Sequence, residues 1–102
     1  MALLVVFKGN GFTKQMYESL RRLVNWESQR PAGGLIHACG FDDAGNLHVA
    51  DVWNSPEEMN EFVSKRLVPG FQQLQIPMPE VQVMPLHNLN VYPDAAARYQ
   101  LK

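Results

Sequence analysis

The sequence has a single cysteine, Cys39, in 102 residues. No intrachain disulfide can staple it, and the Cys and His pairs that frame a structural zinc site are missing. It has no excess charge of either sign: 9 Lys and Arg stand against 10 Asp and Glu, a formal net charge of -1. The basic residues are scattered, so there is no electrostatic footprint for nucleic acid. Apolar runs are short. The segment from Ala2 to Phe7 has no basic flank or cleavage pattern and falls far below the ~20 residues of a membrane span. There is no Gly-rich phosphate-binding fingerprint, internal repeat or low-complexity tract. These absences predict a soluble, cytoplasmic protein without disulfides. Its composition, 46% hydrophobic and 19% charged, supports one ordinary core, expected over residues 1–93 with a tail at 94–102.

Leu3 to Phe7 is almost continuously apolar and rich in β-branched residues, as in a strand covered on both sides. Thr13 can cap a first helix in which Met16, Leu20, Leu23 and Val24 recur at helical spacing, fading near Trp26 to Gln29 before Pro31. Ser55-Pro56-Glu57-Glu58 combines a serine cap, a proline at the first helical position and a glutamate three residues after the cap. A second helix starts there, and Pro69-Gly70 is expected to kink or end it. Val81 to Tyr92 alternates as a last strand, irregular near Pro85.

The centre of the chain, Gly34 to Trp53, reads as a hairpin turning at Asp42 to Asn46, with Gly45 free to take positive φ. A three- or five-residue loop sets His37 opposite Asp51 and Leu35 opposite Trp53. Side-chain alternation then gathers Leu35, His37, Cys39, Val49, Asp51 and Trp53 on one face, and Ile36, Ala38, Ala50 and Val52 on the other.

The order β-α-β-β-α-β predicts an α+β, ferredoxin-like split βαβ fold, a four-stranded antiparallel sheet with both helices on one face. The other face needs cover, and a second copy of the chain provides it economically. We expect a homodimer through the sheet face, with the His37, Asp51 and Trp53 face lining the lumen.

Asp51-Val52-Trp53, followed at once by Ser55-Pro56-Glu57-Glu58, a helix with Phe62, then Leu67, Pro69 and a final strand ending near His87-Asn88, resembles the dimeric α+β barrel superfamily. Its antibiotic-biosynthesis-monooxygenase-like members are the nearest in pattern. The resemblance implies a homodimer, a cavity between sheet and helices or within the barrel, and chemistry ranging from cofactor-free oxygenation to haem degradation, isomerisation or ligand binding alone. The haem-degrading branch places a tryptophan and a haem-ligating histidine where this sequence has Phe62 and Gln72, so haem is not carried over and no cofactor is expected.

Within that frame His37 and Asp51 are candidate catalytic residues, the carboxylate orienting an imidazole that abstracts a proton. His87, on the last strand, is a candidate polarising donor reaching across the dimer, with Asn88 beside it. Trp53 and Phe62 are candidate stacking walls for a flat hydrophobic ligand, with Leu35 and Cys39 on the same lining. Cys39 itself reads as a small buried hydrophobe rather than a nucleophile. A metal set of His37, His87 and Asp51 is weakly suggested, and no metal is expected. The reading is an enzyme of monooxygenase or isomerase type acting on an aromatic or polyketide-like molecule. The alternatives are a carrier or sensor of a small apolar ligand, and a purely structural dimer.

Overall fold

The structure, a computed structural model, describes residues 1–99. Strand β1 (Leu3–Gly9) occupies the inside of a four-stranded sheet because the hairpin β2 (Gly34–Phe41) and β3 (Leu47–Trp53) docks on one of its edges and β4 (Glu80–Pro85) on the other, all antiparallel. The spatial order β2-β3-β1-β4 is that of the ferredoxin-like split βαβ plan.

Helix α1 (Lys14–Val24) begins where the Thr13 hydroxyl accepts the Met16 N–H. It stops at Val24, short of the expected fade at Trp26, because Asn25 turns left-handed and returns its N–H to the Arg21 carbonyl. Helix α2 (Pro56–Phe62) carries the expected cap: Ser55 Oγ accepts the Glu58 N–H, and Glu58 reaches back to the Ser55 hydroxyl and the Asn54 amide. Pro69 does not end this helix. A π-helical turn over Val63–Leu67 precedes it and runs directly into α3 (Val68–Leu74). The wider turn accommodates the ring and the missing N–H without breaking the rod. Gly70 is there for close approach: a Cβ on it would sit 3.0 Å from Val24 and 3.1 Å from Leu20.

The core joins Leu3 and Val5 of β1, Leu47, Val49 and Trp53 of β3, Leu20 and Val24 of α1, and Phe62, Leu67 and Phe71 of the second helical run. At about 1.5–3 kcal/mol for each large apolar side chain buried, this layer is the main source of stability. It also fixes which sheet face the helices cover. Val5 pairs with Asp51 and Leu3 with Trp53, so Asp51 and Trp53 share the helix-facing side with Val5, which is fully buried.

That reverses one expectation. The face bearing His37, Asp51 and Trp53 lies under the helices and does not line an open lumen. The half-exposed face instead presents Leu4, Val6, Ile36, Ala38, Ala50 and Met84 around the buried Val52. The physical reason is that β1 is apolar on both sides, so alternation divides the strands into faces without saying which one the helices take.

The last strand is also shorter than expected. It ends at Pro85, the Leu86 N–H still reaching the Ala2 carbonyl, and Leu89, Val91 and Tyr92 beyond it are exposed. A short helix α4 (Asp94–Tyr99) follows. Among the described residues no helix is long and apolar enough to cross a membrane.

Candidate active site

Hairpin geometry sets the site. The loop runs from Asp42 to Asn46, closed by Asp42 N–H to the Asn46 carbonyl at 3.0 Å, Gly45 N–H to the Asp42 carbonyl at 2.9 Å, and Gly45 at φ 82. The Asp42 carboxylate accepts the Ala44 and Asn46 N–H groups and meets His48 Nε2 at 2.9 Å, and the His48 contact leads in holding Asp42 below the usual carboxylate range. The resulting register puts His37 directly opposite Asp51, as the loop length predicts. It does not put Leu35 opposite Trp53. Gly34 takes that place and Leu35 is the extra residue of a bulge.

His37 Nδ1 lies 2.7 Å from Asp51 Oδ1, and His37 Nε2 lies 2.7 Å from the Tyr17 hydroxyl of α1. An ionised carboxylate only accepts, so in the neutral ring Nδ1 carries the hydrogen, Nε2 is the acceptor and Tyr17 donates to it. Asp51 is 8% exposed, and its second oxygen faces the Trp53 indole N–H at 3.4 Å. The three side chains form a continuous line from a buried carboxylate to a phenol. Burial, with Cys39 alongside, pushes the Tyr17 phenol well above its ordinary range. Partial desolvation against the cavity wall likewise raises the Cys39 thiol.

The line runs along the wall of a cavity of about 900 Å³ between the sheet and α1, open to solvent on one side. His37, Asp51, Trp53, Phe62, Leu35 and Cys39 all line it. Cys39 is exposed there rather than buried. Phe62 stacks at a tilt on Trp53, ring centroids 5.5 Å apart, with the Arg66 guanidinium 5.0 Å from the Phe62 ring centroid. His87 and Asn88 are exposed, beyond β4 and outside this wall. Among the described residues no group of three His, Cys, Asp or Glu side chains is placed to hold a metal ion. Gln72 is exposed on α3.

Two aromatic residues escaped the sequence reading as parts of the site. Trp26 packs 5.2 Å from the His37 ring and 5.7 Å from Tyr17, and Phe41 stands edge-on to Tyr17 at 6.1 Å. The Trp26 indole N–H is buried with no acceptor among the described residues, at a cost of about 1–3 kcal/mol. A tryptophan placed just after a helix and before the Pro31-Ala32-Gly33-Gly34 loop, where no core stripe requires one, was the available signal.

No family model matches the chain, and no curated protein matches it. Solved structures do. SnoaB, a cofactor-independent oxygenase from Streptomyces nogalater, is 12% identical with a TM-score of 0.64, covering 86% of this chain and 94% of that one. A conserved protein from Methanosarcina mazei Go1 is 14% identical at 0.64, covering 82% and 91%. A proposed antibiotic biosynthesis monooxygenase from Chloroflexus aurantiacus is 15% identical at 0.62, covering 90% and 100%. The chain thus has the fold of the antibiotic-biosynthesis-monooxygenase-like proteins, as the spacing of its elements implies. At these identities the likeness is one of fold, and function rests on the site.

Proposed function

We propose that this chain is a small-molecule enzyme, a cofactor-independent oxygenase or isomerase that removes a proton from a hydrophobic aromatic or polyketide-like substrate. The observation that carries the reading is the Asp51–His37–Tyr17 line on the wall of an aromatic cavity. The substrate's acidic hydrogen goes to the Tyr17 oxygen as Tyr17 passes its own to His37 Nε2, and Asp51 balances the imidazolium that results. Because burial opposes a free-standing tyrosinate, the two transfers are concerted.

Trp26, Trp53 and Phe62 supply flat apolar walls that exclude water and hold an aromatic ring against the phenol, which Phe41 backs edge-on. The electron-rich carbanion then has two fates. Reprotonation at another carbon is isomerisation. Electron transfer to dioxygen turns a ring CH₂ into a carbonyl, the second oxygen atom leaving as water. The fold shared with SnoaB, a cofactor-independent oxygenase, supports the latter.

The chain works in this reading as a homodimer joined through the open sheet face, where Leu4, Val6, Ile36 and Met84 form an apolar surface of the kind monomers rarely leave uncovered. That surface is the reverse side from the catalytic line. His87 and Asn88, outside this chain's own cavity wall, then act from the partner subunit.

The test is His37→Ala assayed on hydroxyaromatic compounds by oxygen consumption and product analysis. Turnover should fall by about 10²-fold or more with affinity largely kept. A carrier would bind the same compounds in the wild type with no turnover to lose.

A further inference from the structure

We infer that the ligand of this cavity is an aromatic anion, its carboxylate held by Arg30 at the mouth while its acidic hydroxyl meets Tyr17. The inference rests on the cavity reading above and adds the ligand's charge. Two arginines line the cavity. Arg21 is neutralised in place, bonded to Glu18 at 2.9 Å and to Glu27 at 2.8 Å. Arg30 is not: its guanidinium donates to the Gly34 carbonyl at 3.2 Å, and no carboxylate among the described residues pairs with it.

One hydrogen bond to a carbonyl uses a fraction of its five donors, leaving the planar fork that suits a carboxylate. The other acidic groups of the wall are committed, Glu27 to Arg21 and Asp51 to His37. The same loop, residues 25–33, carries Trp26, whose buried indole N–H has no acceptor. Among the described residues the lining therefore offers an uncommitted cation at Arg30 and no uncommitted carboxylate, and a negatively charged molecule complements it. Across the Leu35 bulge Gly34 and His37 stand opposite Trp53 and Asp51, two residues apart on β3, roughly 7 Å at strand spacing, a span that a hydroxyl and a carboxylate at opposite ends of an aromatic ring system can bridge.

The probes are 6-hydroxy-2-naphthoate, its neutral carboxamide and 2-naphthol, titrated against the protein by tryptophan fluorescence. The wild type should bind the acid about tenfold more tightly than the amide. Arg30→Gln should level the two, and Arg30→Lys, which keeps the charge, should retain part of the preference. Equal binding of acid and amide by the wild type, or a preference that survives in Arg30→Gln, overturns the anion site while leaving the proton line standing. Failure of all three probes to bind overturns both. His37→Ala should keep the acid-over-amide preference, so loss of the relay and loss of the anion site are read separately.

Discussion

Tyr17 and His37 are side by side across the helix–sheet boundary, their rings only 3° from parallel and the hydroxyl 2.7 Å from Nε2. Removing that hydroxyl leaves the imidazole without its outer partner. Tyr17→Phe should reduce turnover of a hydroxyaromatic substrate by about 10²-fold while shifting stability by no more than about 1.5 kcal/mol. Steady-state kinetics and urea melts of the same preparation separate the two effects.

The raised Tyr17 phenol also has a consequence for stability. Its folded value lies above the ordinary 10.0, so the unfolded chain ionises first. The contribution is therefore whole below pH 10 and is lost as pH rises further. Denaturant midpoints measured upward from pH 9 should fall more steeply for the wild type than for Tyr17→Phe. Parallel curves would show that Tyr17 ionises alike in both states.

At the other end of the hairpin, Gly33 sits at φ +81, and a Cβ on it would lie 2.5 Å from the Glu58 side chain. Gly33→Ala should cost about 1–3 kcal/mol from the backbone alone, with the Glu58 clash adding to it. Its thermal melt should be lowered more than that of Gly45→Ala, whose φ is equally positive but whose surroundings are empty.

Glu58 gives a second pH dependence, of opposite sign. Its hydrogen bonds from Asn54 and Ser55 hold its carboxyl below the usual range. The stabilisation is present above the ordinary carboxylate value and is lost as pH falls through the folded one. Glu58→Gln should flatten the acid limb of the stability curve.

The open sheet face predicts assembly. Ala50→Arg places a charge between Val6 and Ala38 on that face, away from the cavity. Light scattering should find the wild type as a dimer and this variant as a monomer with an intact circular dichroism spectrum.

Much of this architecture was legible because local signals agreed with one another. The Ser55 cap, the Thr13 cap and the Asp42–Asn46 turn each specify their own geometry, and a three- or five-residue loop at that turn, though not a four-residue one, pairs His37 with Asp51 as the structure does. What the sequence left open depends on contacts between distant elements. Nothing local to the hairpin says that α1 covers the His37 side, and the contact between Tyr17 and His37 becomes visible only when α1 is laid there. Pro69-Gly70 reads as a kink or an end, and of the two the end is overturned, because the preceding π-turn absorbs the proline within one helical run. The bulge at Leu35 was hidden because inserting one residue between Gly34 and Ile36 leaves the pairing beyond it unchanged.

In the proposed reaction Asp51, His37 and Tyr17 together accept a proton from a bound aromatic hydroxyl. The most direct measurement is the absorption spectrum of 4-nitrophenol bound to the protein at a pH below the probe's own pKa, where free probe is neutral. The wild type should shift the bound probe to the nitrophenolate spectrum, while His37→Ala should bind it with the spectrum of the neutral phenol. A bound probe that stays neutral in the wild type, or that ionises equally in His37→Ala, would contradict the account.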